Sequence, residues 1–425
     1  MKVLVIGGGG REHALVARLA PELEPDHLLA CPGNPGIARL ARTVAATLDQ
    51  PQTIVELAAR EQVDLTIVGP ELPLSVGIAD AFAREGRLLV GPTQAAARLE
   101  TSKAYAKDFM RRHGVPTARF RTCSSVEDAL AVARSGALGY PLVVKADGLA
   151  AGKGVVLAVD GPQAEAAIHA AMTAGRFGAA GARLVLEECL TGPEVSFFVV
   201  SDGARALHIG TAQDHKRIFD DDQGPNTGGM GAFAPSPLVG PALADVVMRQ
   251  IVDPVLAGMA AEGCPYAGFL YVGLMLTVDG PKVIEFNVRL GDPEAQVILS
   301  LIDAPLIPVL VGAAARRLPT SPVPLTPEVR VGVVLASRGY PESAESDRSI
   351  AGVDEAERLD GVSVFHAGTA LNAGQLVTAG GRVLTVVGQG RDFPTAISRA
   401  YSGVDRIAFD GMQYRRDIGK KAGLA

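Results

Sequence analysis

The run Lys145-Ala146-Asp147-Gly148-Leu149-Ala150-Ala151-Gly152-Lys153-Gly154-Val155 constrains this chain more than any other stretch. Apolar, β-branched runs flank it, Leu142 to Val144 and Val155 to Leu157, so the segment reads as strand, glycine-rich turn, strand. Glycines let backbone N–H groups face an anion with no Cβ in the way. The lysines add point charges suited to phosphate. A G-x-x-x-x-G-K-[ST] loop would lead into a helix and place Ser or Thr on magnesium; here a strand follows and Val155 stands at that place. The expectation is a phosphate lid on a hairpin. By itself the segment also fits a tight hairpin with solvated lysines, so its partner downstream matters.

That partner is Lys282-Val283-Ile284-Glu285-Phe286-Asn287-Val288-Arg289. Strand alternation puts Val283, Glu285, Asn287 and Arg289 on one face and Ile284, Phe286 and Val288 on the other. An acid, an amide and a guanidinium on one face of an apolar strand are costly without partners. Magnesium accepts a carboxylate and an amide oxygen, keeps waters and is completed by substrate phosphates. Glu285 and Asn287 are therefore the candidate metal ligands, and Arg289 would meet a second anion. A solvated edge strand is the competing account; with the glycine lid upstream, metal and nucleotide explain more.

At 425 residues the chain calls for two to four domains. With 48% apolar and 20% charged residues it is globular. A net charge of −6 argues against general nucleic-acid binding, so positive charge for phosphorylated substrates must be local: Arg11, Lys103, Lys145, Lys153, Lys216, Arg217 and Arg289. Cys31, Cys123, Cys189 and Cys264 show no paired spacing, which suggests neither zinc nor disulfides and fits a reducing cytosol. The chain opens directly into a strand without a signal peptide, and no apolar run reaches membrane-spanning length. A cytoplasmic protein without nucleic-acid or membrane partners is expected.

Residues 1 to about 100 alternate strand (Lys2–Ile6, Asp64–Gly69, Arg87–Val90) and helix (Arg11–Leu19, Ser75–Arg84), which predicts a parallel, doubly wound sheet. A helix at Ser102–Arg112 leads into a small α+β unit ending near Glu188, followed by longer strands at Val195–Val200, Phe269–Leu276 and Val283–Val288 and a helix at Pro241–Ala261. Pro319, Pro322, Pro324 and Pro327 mark a linker, beyond which strands fall at Val329–Ala336 and Arg382–Val387. Between Gln213 and Gly231 a polar stretch reads as a long functional loop. The turn Gly7-Gly8-Gly9-Gly10-Arg11-Glu12-His13 follows a strand and opens a helix, an arrangement suited to an anion. A dinucleotide is disfavoured, because Glu12 occupies the third fingerprint position and no acid ends the strand near His27–Ala30. One phosphate beside Arg11 fits better, and His13 reads as either a helix-surface histidine or a ligand contact.

Taken together, Gly7–His13, Pro32-Gly33-Asn34-x-Gly36, Val68-Gly69-Pro70-Glu71-x-Pro73-Leu74, Lys145–Gly154, Gln213–Arg217, Gly224–Gly231, Glu285–Glu294, His366–Thr369 and Gly380–Val383 resemble the phosphoribosylamine–glycine ligase family of ATP-grasp enzymes. The resemblance runs from Met1 to about Gly419. It implies a multidomain α/β fold: a Rossmann-like parallel sheet over 1–103, a two-lobed α+β ATP-grasp core over 104–325 with its small lobe at about 120–190, and a small mixed α/β domain over 326–425. It implies ATP, glycine and 5-phosphoribosylamine as substrates, Mg2+ or Mn2+ as cofactor, and a monomer. Lys103 and Lys145 would meet the phosphates under the Gly148–Gly152–Lys153–Gly154 loop, with Glu187, Glu188 and Leu190 forming the adenine hinge and Glu194 at the ribose. Asp214, Lys216, Asn226, Thr227, Gly228, Gly229, Arg289, Gly291 and Asp292 would line the glycine and phosphoribosylamine site, with Gly9, Gly10 and Arg11 on the sugar phosphate. Arg289, Asp214 and Lys145 are the candidate catalytic groups.

Two departures from the family pattern stand out. Leu290 replaces an aromatic, and strand Phe269–Leu276 lacks the acid expected near Met275, so fewer protein ligands to metal are anticipated. The alternatives are an ATP-grasp carboxylate–amine ligase with another acceptor, a non-catalytic nucleotide sensor, and a Rossmann oxidoreductase.

Overall fold

The computed structural model describes residues 1–148, 154–175 and 177–424. Five strands open the chain: β1 (Val3–Gly7), β2 (Leu28–Pro32), β3 (Arg42–Thr43), β4 (Leu65–Val68) and β5 (Leu88–Val90). They form a parallel sheet in the order β3-β2-β1-β4-β5. Every residue of β1 and β4 is buried, as continuous apolar strands covered on both faces must be. Helix α1 (Gly10–Leu19) follows β1 directly. The helix expected at Ser75–Arg84 is two, Glu71–Ser75 and Ile78–Arg84, because Gly77 between them takes φ +85°.

The small lobe is an antiparallel sheet ordered β6-β9-β7-β8, from β6 (Phe120–Cys123), β7 (Leu142–Ala146), β8 (Val155–Ala158) and β9 (Leu184–Glu188). Lys145 of β7 pairs with Val155 of β8, so the glycine run does link the two strands of a hairpin. Gly152 and Lys153, singled out in the sequence, lie outside the described residues. The lobe packs around its own core, including Cys123, Leu142, Ile168, Leu184 and Leu186.

The remaining strands are β10 (Glu194–Asp202), β11 (Ala206–Asp214), β12 (Arg217–Phe219), β13 (Gln223–Asn226), β14 (Gly231–Ala234), β15 (Ala267–Thr277), β16 (Gly280–Asn287), β17 (Val329–Ala336), β18 (Val362–His366), β19 (Thr369–Asn372), β20 (Gln375–Thr378) and β21 (Arg382–Gly390). One eight-stranded sheet, β16-β15-β10-β11-β14-β17-β21-β18, runs without a break from the large lobe into the C-terminal region. The stretch expected as a loop after Gln213 is instead the β12–β13 hairpin, standing off the sheet between β11 and β14. Helix Pro241–Ala261 is interrupted by a π turn at Met248–Val252, just before Pro254, whose missing N–H breaks the regular ladder.

The alternation assumed for the Lys282–Arg289 strand fails at one point. Gly273 pairs with Glu285, yet the next residue, Leu274, pairs with Val283. Ile284 is the extra residue of a bulge. Val283 therefore joins Phe286 and Val288 in the apolar core instead of sharing the face of Glu285.

The N-terminal sheet and the large lobe share their cores: Val3, Val5 and Leu15 pack in one cluster with Phe198, Val200 and Leu310. The C-terminal region docks onto the N-terminal one through histidines. His13 is buried, not on the surface, and its Nδ1 accepts the His366 backbone N–H at 2.8 Å. Asn34 donates to the Gly8 and His366 carbonyls at 2.9 and 2.8 Å.

Burial, followed by the charges of His366 and Arg39, lowers His13 to about 3, and burial with Arg39 lowers His366 to about 4. The unfolded chain, titrating near 6.5, then binds more protons than the folded one over that interval. The stability these histidines contribute is complete above pH 6.5 or so and is lost as pH falls toward 4. The difference in melting temperature between the natural protein and His13→Asn/His366→Asn should shrink from pH 7 to pH 4. Parallel melting curves across that range would contradict this assignment.

Candidate functional site

Glu285, on β16 past the bulge, sits among cations. Burial opposes its ionisation, yet Lys216, Lys145, Lys103 and Arg289 together hold its carboxyl below the usual range. Among the described residues, neither the Glu285 carboxylate nor the Asn287 amide has a hydrogen-bond partner. A carboxylate and an amide oxygen, both uncommitted and on one strand, form a donor set suited to a hard divalent cation. No group of three or more His, Cys, Asp or Glu that could hold a metal occurs among the described residues. The protein thus offers few ligands, and water or substrate oxygens would complete the coordination.

Each cation around Glu285 has a protein partner. Lys103 Nζ donates to the Gly148 carbonyl at 2.9 Å, and burial lowers its pKa. Lys145 Nζ lies 3.1 Å from Glu187 Oε1 and donates at 3.2 Å to the Ile284 carbonyl, which the bulge leaves off the ladder. Glu187 is buried and also meets Lys107, 2.8 Å away. Lys107 is a residue the sequence reading passed over; burial brings it down to about 8 against the pull of Glu187. Its Nζ donates to Thr117 Oγ1 at 2.7 Å. Arg289, expected to face an anion, lies 3.2 Å from Glu71 Oε2 and 3.2 Å from Glu100 Oε1. Burial raises Glu100 and opposes Arg289 and Glu71 too, but the carboxylates hold Arg289 charged and Arg289 with Arg11 keeps Glu71 ionised.

The end of β9, expected to meet adenine, is held by the residue just before β6. Glu188 is tied to Arg119, whose backbone N–H and Nε donate to its carboxylate at 2.9 and 2.6 Å, and its own N–H donates to the Arg119 carbonyl at 3.0 Å. The Leu190 N–H has no partner among the described residues. Asp147, beside Gly148, accepts from Ser102 Oγ (3.0 Å), the Ala104 N–H (3.1 Å) and Arg183 Nε (2.6 Å). It thereby caps helix Lys103–Arg112 and fixes the start of the glycine run. Gly154 ends the run, its carbonyl accepting the Ala146 N–H at 2.8 Å.

A narrow pocket beside Glu285 is lined by Glu194, Ser196, Asp214, Lys216, Tyr271 and Ile284, among others. Lys216 Nζ bonds Glu194 Oε2 at 2.6 Å, so Glu194 is occupied in this structure. Burial raises the Asp214 carboxyl, with Glu194 and Glu285 adding to the effect and Lys216 opposing it. Glu294, not assigned from sequence, accepts from Ser196 Oγ at 3.3 Å and is pushed up to about 7 by burial and by Asp214.

Beyond Asn226, Thr227 donates its N–H and Oγ1 to the Lys216 carbonyl at 2.7 and 2.8 Å. Gly229 follows at φ +113°, where a Cβ would come within 2.6 Å of Pro293. Gly291 packs on the Glu294 carboxylate. Asp292 accepts from Gln296 Nε2 at 2.9 Å; burial opposes its charge, but Arg382 and Arg11 hold its carboxyl below the usual range.

At the N-terminal turn, Glu12 Oε2 accepts the Gly9 N–H at 2.6 Å. Gly10 is buried beneath Gln296. Arg11, expected on a phosphate, turns inward: its Nε bonds Glu12 at 2.6 Å and Nη1 the Leu290 carbonyl at 3.2 Å. Side-chain contacts across distant segments carry no local pattern, which is why Lys107, Glu100 and Glu294 escaped the sequence reading.

Three domain families match the chain in succession: the phosphoribosylglycinamide synthetase N domain over residues 1–100, its ATP-grasp (A) domain over 101–295 and its C domain over 330–421. The phosphoribosylamine–glycine ligase of Allochromatium vinosum is 48% identical over 425 residues, covering 99% of both chains. That of Xylella fastidiosa is 48% identical over 426 residues, covering 99% of this chain and 98% of its own. The crystal structure of phosphoribosylamine–glycine ligase from Thermotoga maritima superposes with a TM-score of 0.84 at 32% identity, covering 98% of this chain and 100% of that one. A biotin carboxylase from Campylobacter jejuni, at 16% identity and a TM-score of 0.72 over 100% of this chain and 94% of its own, shares the fold.

Lys107→Met should leave half of the buried Glu187 carboxylate's pairing unmade, a cost of about 1–3 kcal/mol. A lower denaturation midpoint with an unchanged slope would bear this out; an unshifted midpoint would contradict it.

Proposed function

The chain belongs to the phosphoribosylglycinamide synthetase family, and we propose that it joins glycine to 5-phosphoribosylamine with ATP. The products are glycinamide ribonucleotide, ADP and phosphate, a ligation step of purine biosynthesis. The observation that carries the reading is the uncommitted Glu285 and Asn287 pair, set among Lys103, Lys145, Lys216 and Arg289, with Lys145 reaching from the hairpin strand to the neighbouring Ile284 carbonyl.

On this reading the nucleotide lies between the lobes, its adenine edge against the hinge at Leu190 and its phosphates toward Lys103, Lys145 and the Gly148–Gly154 turn. The Glu194–Lys216 pair opens to admit the ribose. A divalent cation, magnesium or manganese, would sit on Glu285 and Asn287 and neutralise phosphate oxygens when bound. The glycine carboxylate attacks the γ-phosphate in line, forming an acyl phosphate, and the amine of phosphoribosylamine then displaces phosphate. Neither step needs a side-chain nucleophile, so the chain's own work is positioning and charge neutralisation.

Arg289, fixed by Glu71 and Glu100, presents its remaining N–H groups to the glycine carboxylate or the acyl phosphate. Asp214, with its carboxyl raised by burial, takes the proton that the attacking amine loses. Asn226 to Gly229, Gly291 and Asp292 shape the acceptor pocket. The Gly9–Gly10 backbone is the sugar-phosphate side, with Arg11 acting from behind it. Groups from every region of a single chain meet here, so a monomer could carry the whole reaction, and the four free cysteines are compatible with a cytoplasmic setting. Among the described residues no helix is long and apolar enough to cross a membrane.

Phosphate release should require glycine and phosphoribosylamine together; release with another acid or amine in place of either would favour a different ligase. Glu285→Ala should lose turnover heavily while keeping a near-natural melting temperature, since this carboxylate makes no hydrogen bond among the described residues. Retained activity at ordinary magnesium would rule out its role.

A further inference from the structure

The C-terminal region carries two motifs that the ligation chemistry leaves without a task, His366–Thr369 and Gly380–Val383. The first docks this region beside the N-terminal turn, as described. From the second, and on the strength of the ligase reading, we propose that Arg382 is a positioning residue for the acceptor substrate. It fastens the Gly228–Gly229 turn to the Asp292 turn and so sets the shape of the phosphoribosylamine pocket.

Arg382 begins β21 and pairs with Ala336 of β17, so the continuous sheet fixes its backbone. Its Nη1 donates to the Gly228 carbonyl at 2.5 Å and to the Asp292 carbonyl at 2.5 Å, with the Gly229 carbonyl at 3.4 Å. Its Nη2 lies 3.4 Å from Asp292 Oδ1. A Cβ on Gly228 would come within 3.1 to 3.3 Å of the guanidinium carbon and nitrogens, so the turn lies directly against that group. Tyr340 OH accepts the Gly228 N–H at 2.9 Å and holds the same turn from the C-terminal side.

Asp292 carries the connection onward. Gln296 holds its Oδ1, and its Oδ2 lies where a Cβ on Gly9 would be 3.5 Å away. One guanidinium therefore links the polar turn after β13 to the carboxylate beside the N-terminal glycines. A planar fork with donors at fixed angles can span these acceptors, whereas an ammonium is a single point. Nη1 is spent on protein carbonyls and Nη2 faces Asp292 Oδ1, so Arg382 acts through the turns it holds.

The test compares the natural enzyme with Arg382→Ala and Tyr340→Phe, phosphoribosylamine being generated in the assay from ribose 5-phosphate and ammonia. Arg382→Ala should raise the KM for phosphoribosylamine roughly 10–100-fold through misplaced turns, leave the KM for ATP unchanged, and regain part of the loss when ethylguanidinium is added. Tyr340→Phe should move the same KM in the same direction by less, and it keeps the proposal testable if the alanine variant does not fold. An unchanged phosphoribosylamine KM in the folded variants would overturn the proposal. So would KM values for ATP and phosphoribosylamine that rise together without guanidinium rescue, since a merely structural tie behaves that way. If the natural enzyme itself released no phosphate with glycine and phosphoribosylamine, the ligase reading would fall instead.

Discussion

Crowding of like charge is the constraint on which this molecule depends. A chain of net charge −6 gathers Lys103, Lys145, Lys216 and Arg289 around the single carboxylate of Glu285. Such a cluster repels itself unless its cations are given counter-charges, and the fold supplies them to three of the four from separate regions, Lys103 bonding the neutral Gly148 carbonyl instead. Glu187 of the small lobe serves Lys145, Glu194 of the large lobe serves Lys216, and Glu71 and Glu100 of the N-terminal part serve Arg289. Glu285 and Asn287 remain unspent. A polyphosphate with its cation is the ligand that such a half-balanced field suits, because it can replace the internal counter-ions without leaving charge unmatched.

The architecture keeps this field in place. The N-terminal sheet and the large lobe share apolar clusters, and the eight-stranded sheet carries the large lobe into the C-terminal region. The small lobe has a core of its own. Its polar ties to the body converge on a few points: Lys107 with Glu187, Lys145 with the bulged Ile284 carbonyl, and Asp147 on the helix at Lys103. On the proposed reading a nucleotide enters at these points, so its binding would act on the same bonds that tie the small lobe to the body.

Much of this was legible in the sequence wherever the signal was local. Apolar periodicity gave β17 at Val329–Ala336 and the parallel N-terminal sheet; glycines between β-branched runs gave the lid hairpin. The misreadings have physical reasons. The β12–β13 hairpin is short, and its second strand is exposed throughout, so no apolar alternation announces it. The bulge at Ile284 cannot be read from a strand considered alone, since it exists only in the pairing with β15. Arg11, Arg289 and His13 stand out by residue type, but their partners Leu290, Glu100 and His366 lie far along the chain. The C-terminal motifs showed kinship without a role until their contacts were visible.

The central claim is that this charged pocket activates the glycine carboxylate by phosphorylation, with no covalent help from a side chain. Glycine carrying heavy oxygen in its carboxylate tests it most directly. One labelled oxygen should bridge carbon and phosphorus in the acyl phosphate and leave with inorganic phosphate when the amine adds. Each turnover should therefore place one labelled oxygen in phosphate and keep the other in the product amide. Label in AMP, or unlabelled phosphate during genuine turnover, would contradict the claim.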